Sequence, residues 1–229
     1  TTDFKMLSEC DLVIEAVFED PSVKSEVIKN IEANVKDDCT IATNTSTLPI
    51  SNLAKTSTRP AQFIGIHFFS PVEKMLLVEI IKGKKTGDRA VAKALDYVRQ
   101  IRKTPIVIND ARFFYANRCI IPYINESIRM VEEGVEPALI ENAAKLMGMP
   151  IGPLQLNDEI SIDLSVKIAK FTKIAMGANY DNDQADRVLL WLFGQGRLGR
   201  KSKAGFYEYD AFGKRIGIWQ GLRDQYYKD

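Results

Sequence analysis

The sequence predicts an α/β domain with a mostly parallel sheet, followed by a separate all-helical domain. Two observations carry that expectation. Up to Asn109, short apolar runs of strand length alternate with segments whose apolar residues recur at helical intervals. Beyond Asp110 the strand-like runs give way to long stretches of helical spacing. The first domain is therefore read as residues 1–110 and the second as residues 111–229.

Taken in order, Asp11-Leu-Val-Ile-Glu-Ala-Val17 is an apolar run of the kind found in a buried parallel strand. Val23, Val27, Ile28, Ile31 and Val35 then share one face of a helix from Ser22 to Val35, with Pro21 at its entrance. Thr40 to Ser46 is a second strand ending in a polar cluster, and Pro49 to Lys55 is a short helix. Phe63 to Phe69 and Leu76 to Ile81 are two further strands, separated by a Ser70-Pro71 break. An amphipathic helix from Asp88 to Ile101 and the run Thr104 to Asn109 complete the first domain. In the second, Phe113 to Glu133 is a long helix with Ile121, Ile124, Ile128 and Val131 on one side and Pro122 as a kink point. Helices from Pro137 to Met147, Asp158 to Ala175 and Asp183 to Phe193 come next, then a short strand or extended arm at Gly205 to Tyr209.

Composition narrows the function. A hydrophobic share of 45% with 27% charged residues is that of a globular protein, and a net charge of +1 leaves no electrostatic footprint for nucleic acid or an anionic membrane. No apolar run approaches the roughly 20 residues of a membrane-spanning helix. Thr1 to Leu7 has the features of neither a signal nor a transit peptide. With no starting Met, the chain is expected to begin partway through a longer product. Cys10, Cys39 and Cys119 are widely spaced and odd in number. They point to a reducing compartment and away from a zinc site.

The chemistry concentrates in Phe63 to Ile81. His67 ends the first of its two strands and is the only histidine in 229 residues. Imidazole is the side chain best suited to moving protons near neutral pH. Glu79 is a carboxylate among apolar neighbours, costly unless a charged or hydrogen-bonding partner meets it. If the strands are adjacent, Glu79 orients His67 and makes it a general base. The plain alternative is a core histidine and a solvated edge-strand glutamate. Glu19, Ser46 and His67 all fall at or just past strand ends, where parallel sheets bind ligands.

Two motifs are weaker. Gly194-Gln-Gly196-Arg-Leu-Gly199 fits a dinucleotide-loop pattern, but a helix precedes it where a strand is needed. A Ser46, His67 and Glu79 triad lacks the elbow motif that exposes a serine nucleophile. Ser46 is either a hydrogen-bond donor to a ligand or a turn or N-cap serine before Pro49.

Together these segments resemble the L-3-hydroxyacyl-CoA dehydrogenase family. The resemblance rests on Asp11 to Val17, Ala42-Thr-Asn-Thr-Ser46-Thr-Leu, Gly65-Ile-His67-Phe-Phe-Ser-Pro and Leu77-Val-Glu79. It continues through Asn117-Arg118 with Pro122-Tyr, Met147-Gly-Met-Pro-Ile-Gly-Pro153, and Gly199-Arg-Lys201-Ser-Lys-Ala-Gly-Phe-Tyr. It implies part of a Rossmann NAD-binding domain followed by a helical substrate and dimerisation domain. It implies His67 as the base that takes the 3-hydroxyl proton and Glu79 as its orienting partner. Ser46 and Asn117 would hydrogen-bond the substrate, an acyl-CoA. Glu19, Lys24, Ser46, Ser70 and Lys201 would lie at the NAD cofactor.

The sequence also departs from the family. No strand, glycine-rich loop and acidic residue for the adenosine side precede Asp11, so the Asp11 strand is expected to be an unpaired edge. Arg112-Phe113-Phe114 replaces the usual Pro-Gly-Phe, and Ser161 replaces another usual glycine. Asp210 to Leu222 resembles the segment on the C-terminal side of this module in multifunctional β-oxidation proteins. The expectation is the dehydrogenase part of such an enzyme, acting as a homodimer or within a multifunctional polypeptide. The alternative is a non-catalytic helical module for dimerisation or packing.

Overall fold

The computed structural model describes residues 1–227. The chain forms two compact units, Thr1–Arg118 and Cys119–Asp229.

The first unit opens with a short 3-10 helix at Phe4–Leu7 that the apolar spacing did not announce. Besides a second 3-10 helix at Pro60–Gln62, its elements are β1 (Leu12–Glu15), α1 (Pro21–Glu32), β2 (Thr40–Thr43), α2 (Ile50–Leu53), β3 (Phe63–Phe68), β4 (Leu77–Lys82), α3 (Asp88–Gln100) and β5 (Thr104–Asn109). The sheet order is β1-β2-β3-β4-β5, so β1 is an edge. Every neighbouring pair is parallel except β3 and β4, which run antiparallel.

Strand alternation assigns the two faces. Ile41, Phe63 and Ile81 point to one side, where Ile28 and Ile31 of α1 and Ile50 and Leu53 of α2 cover them. Ala42, Ile64, Ile66, Val78 and Ile80 point to the other, packed on Ala90, Ala94 and Val98 of α3. Each large apolar side chain buried this way stabilises the unit by about 1.5–3 kcal/mol. Glycine at 65 lets α2 close down, because a Cβ there would lie 2.7 Å from Ile50 Cδ1 and 2.9 Å from Ile81 Cδ1. Asp20 starts α1 by accepting the N–H groups of Ser22 and Val23, with Pro21 in the first helical position.

The helix expected from Phe113 begins later, as α4 (Ala116–Glu132), and continues through Pro122. Phe113 and Phe114 hold φ values of 66° and 52°, a left-handed turn that cannot belong to a helix.

The second unit continues with α5 (Pro137–Leu146), α6 (Pro153–Ile160), α7 (Ile162–Met176), α8 (Asp183–Gly194), β6 (Tyr207–Tyr209), β7 (Arg215–Ile218) and α9 (Gln220–Tyr226). Ile124, Ile128, Leu154, Ile162, Val188, Leu192, Phe206 and Leu222 form its core. Two expectations change here. The single helix from Asp158 to Ala175 is two helices, broken at Ser161, whose φ of 91° ends α6. The unit is also not purely helical, because the Gly205 to Tyr209 segment pairs with β7 as an antiparallel hairpin. The buried carboxylate of Asp158 anchors that hairpin, accepting the N–H groups of Phe206 and Tyr207 and the Tyr209 hydroxyl. Gly194 to Gly199 sits between α8 and a 3-10 turn, and Gly199 is pressed on the Asp158 backbone. No helix among the described residues is long and apolar enough to cross a membrane.

Candidate active site

Because β3 and β4 are antiparallel, His67 lies directly opposite Glu79 in register, and the two side chains share one face of the sheet. Glu79 is fully buried and His67 is 4% exposed. One oxygen of Glu79, Oε2, lies 2.7 Å from His67 Nδ1. The other, Oε1, accepts the backbone N–H groups of Tyr115 at 3.0 Å and Ala116 at 2.8 Å. Burial alone would push the Glu79 carboxyl up. The hydrogen bonds from His67, Ala116 and Tyr115, with the charge on His67, instead carry it below its ordinary value. Glu79 therefore stays an acceptor, and Nδ1 is the nitrogen that carries the proton facing it.

That fixes the chemistry of the other ring nitrogen. Nε2 presents its lone pair 3.1 Å from the Ser46 hydroxyl oxygen, which donates to it. Ser46 is thus not the N-cap of α2. Pro49 stands at that position, and the free N–H groups of Ile50 and Ser51 go instead to the Asp110 carboxylate, at 2.9 and 2.7 Å. Asn117 Nδ2 donates to the Ser46 carbonyl at 3.2 Å. Phe69 and Phe114 flank the imidazole, with ring centroids 4.6 and 5.7 Å away. Asn44 accepts the Phe68 N–H at 2.9 Å and fixes the strand end beside the ring. The group can take a proton at Nε2 from a hydroxyl and hold the resulting imidazolium against a buried carboxylate.

The remaining expected residues differ in how they join this group. Glu19 Oε1 accepts the Ser46 N–H at 3.0 Å, the Thr47 N–H and hydroxyl at 2.9 and 3.0 Å, and the Thr45 hydroxyl at 2.6 Å. Burial raises the Glu19 carboxyl, but the Thr45 hydroxyl, the Thr47 N–H and the Lys24 ammonium together bring it below its usual range. Lys24 is fully buried. Its ammonium is taken up by Glu15, the Val17 carbonyl and Glu19, so it meets the surface only through Glu19. Ser70 is exposed in the loop after β3, at a cis peptide before Pro71. Lys201 belongs to the second unit, where it pairs with Asp163 at 2.5 Å. Sequence reading passed over Glu15, Asn44, Thr45 and Thr47. Glu15 could have been found, since a carboxylate inside the apolar β1 run poses the same question as Glu79.

Two family descriptions match the chain: 3-hydroxyacyl-CoA dehydrogenase, NAD binding domain, over residues 1–111, and 3-hydroxyacyl-CoA dehydrogenase, C-terminal domain, over residues 114–209. The fatty acid oxidation complex subunit alpha of Shewanella baltica is 40% identical over 215 residues, covering 94% of this chain and 30% of that protein. The chain therefore spans only 30% of the length of such curated relatives. Among solved structures, the (S)-3-hydroxybutyryl-CoA dehydrogenase PaaH1 of Ralstonia eutropha is 34% identical, with a TM-score of 0.84 over 92% of this chain and 74% of that one. FadB2 of M. tuberculosis is also 34% identical, with a TM-score of 0.83 over the same shares of 92% and 74%. With an imidazole and a carboxylate paired across β3 and β4 and these likenesses along nearly its whole length, the chain belongs to the 3-hydroxyacyl-CoA dehydrogenase family.

Proposed function

We propose that this chain provides the catalytic base and substrate-positioning groups for NAD-dependent oxidation of L-3-hydroxyacyl-CoA to 3-oxoacyl-CoA, within a multifunctional fatty-acid β-oxidation enzyme. The observation that carries this reading is the line Glu79–His67–Ser46, with spacings of 2.7 and 3.1 Å. His67 Nε2 takes the proton of the substrate's 3-hydroxyl. Glu79 holds the ring in the tautomer with Nε2 free and stabilises the imidazolium. Ser46 and Asn117 hydrogen-bond the hydroxyl and the thioester carbonyl, so that the reacting atoms meet already oriented.

NAD, when bound, supplies the acceptor for the hydride that leaves C3. The polar groups at the strand ends fit its nicotinamide side. Glu19 is half-exposed and held anionic there, Lys24 acts through Glu19, and Ser70 is a further contact in this reading. The pyrophosphate is not matched at α1, whose first N–H groups are already taken by Asp20. Residues 1–110 are accordingly read as the later part of the NAD-binding domain and 111–229 as the substrate and dimerisation domain.

Self-association of the second unit is part of the proposal. Leu164, Phe171 and Ile174 on α7 and Leu190 and Phe193 on α8 are exposed apolar side chains that a second copy would cover. Titration with NADH, followed by fluorescence, and acetoacetyl-CoA-dependent loss of NADH absorbance test the reaction. Binding and turnover support it. Flat traces from a protein that light scattering finds dimeric would favour a packing module instead.

A further inference from the structure

We propose that Glu15 is a positioning residue for this site: through Lys24 and Glu19 it holds the Ser46 turn where the Ser46 hydroxyl meets Nε2 of His67. Its consequence for turnover rests on the proposed role of His67 as the base.

Glu15 closes β1 and is 4% exposed, and Lys24 of α1 is 0% exposed. A buried ammonium persists only where charge and hydrogen bonds compensate it. Lys24 Nζ lies 3.1 Å from both oxygens of Glu15, donates to the Val17 carbonyl at 3.2 Å, and reaches Glu19 Oε2 at 3.5 Å. Glu15 also accepts the Thr43 hydroxyl and, at 3.1 Å, the Val17 N–H. Glu15 therefore satisfies most of the ammonium. Glu19 is left to commit its other oxygen to four donors of Thr45, Ser46 and Thr47.

Ser46 is held from three sides as a result. Its N–H goes to Glu19, its carbonyl takes Asn117, and its hydroxyl faces His67. Loosening the first of these lets the hydroxyl drift from Nε2 while the His67–Glu79 contact stays intact. Replacing Glu15 by Gln has that effect, because a Lys24 deprived of its nearest carboxylate draws Glu19 away from the turn. An ion pair that merely fills the core has no such influence on the imidazole.

The chain's only histidine makes the distinction measurable, since every imidazole nitrogen signal in an NMR spectrum of the full chain belongs to His67. In Glu15→Gln the Nε2 resonance is expected to move as it does in Ser46→Ala, with the Nδ1 resonance unchanged. The double variant should show no further Nε2 movement. In the oxidation assay, Glu15→Gln should lower kcat by about tenfold and raise KM by less than Ser46→Ala does, as expected for a misplaced positioning group. An Nε2 signal at the wild-type position in folded Glu15→Gln, while Ser46→Ala moves it, overturns the proposal. If Glu15→Gln does not fold, Glu15→Asp keeps the charge but draws it back by one methylene. A smaller movement in the same direction then supports the proposal, and none overturns it. The expected Nε2 response in a chain without turnover would support the positioning role while counting against the dehydrogenase reaction.

Discussion

Each unit holds a buried carboxylate with nearly the same set of donors, and the two behave oppositely. Glu79 in the first unit receives two backbone N–H groups and an imidazole. Asp158 in the second receives two backbone N–H groups and a phenol. Burial raises the Asp158 carboxyl to about 6, against the pull of Phe206, Tyr207, Tyr209 and Arg197. The Glu79 carboxyl is lowered despite its own burial, by the hydrogen bonds it accepts from His67, Ala116 and Tyr115, with the charge on His67 adding to them. The Tyr209 phenol is correspondingly raised by its burial and by Asp158, so it never shares a proton near neutrality. Burial and hydrogen bonds therefore do not by themselves make a carboxylate functional. The difference lies in the third donor and in whether that donor has a second nitrogen or oxygen that can exchange a proton. His67 has one in Nε2, and the Tyr209 hydroxyl does not.

The comparison can be broken from either side, and the molecule supplies a reporter for each. His67 is the single histidine, in the first unit, and both tryptophans, Trp191 and Trp219, stack at 5.2 Å in the second. The largest effect is expected for His67→Gln, with kcat falling about 10²–10⁴-fold, the range of general-base contributions. NADH affinity should change little. Unchanged turnover would remove His67 from the reaction.

Next comes pH. Asp158 has a folded value of about 6 against an ordinary 3.8, so the folded state holds its proton more tightly. Its stabilising contribution is present below about pH 4 and is lost as pH rises through about 6. At 1.4 kcal/mol per pH unit the loss is about 3 kcal/mol. Glu79 has the opposite sign, its contribution being lost as pH falls through its lowered folded value. Denaturant melts followed by tryptophan fluorescence should show Asp158→Ala costing the second unit more at pH 4 than at pH 7. An equal cost at both would refute the assignment.

At pH 7 the same substitution is expected to cost about 1–3 kcal/mol, because it strands the N–H groups of Phe206 and Tyr207. Turnover of the folded fraction should be unaffected, unlike that of His67→Gln. The smallest effect is a gain. Ser161 holds a φ of 91°, which glycine adopts without a Cβ clash. Ser161→Gly should therefore stabilise the second unit by about 0.5–1 kcal/mol in the same melts.

How much of this was legible in the sequence depended on range. Strand and helix positions in the first unit derive from apolar period, and β3, β4 and α3 fall close to where the spacing puts them. The break at Ser161 and the late start of α4 did not show in the apolar spacing, because at both places a residue stands in for a family glycine and takes a left-handed conformation that its own type disfavours. The hairpin was half visible. Tyr207 to Tyr209 reads as a strand, but its partner and its anchor on Asp158 lie far off in sequence. At the site, His67 and Glu79 stood out as polar residues at the end of, or within, apolar strands. Glu15 carried the same signal and was missed. Thr45 and Thr47 carried no signal, being ordinary turn residues until Glu19 gathers them.

By itself the sequence determined the strands and helices of the first unit's sheet, their buried faces, and which side chains are too costly to bury without partners. Those properties depend on neighbours along the chain. Only the tertiary structure decided that β3 and β4 run antiparallel in the register that sets His67 against Glu79, and that Glu19 closes over Ser46. Pairing across a sheet depends on contacts between distant segments, and the free energy that selects one register is spread over the whole packed face rather than written in either strand.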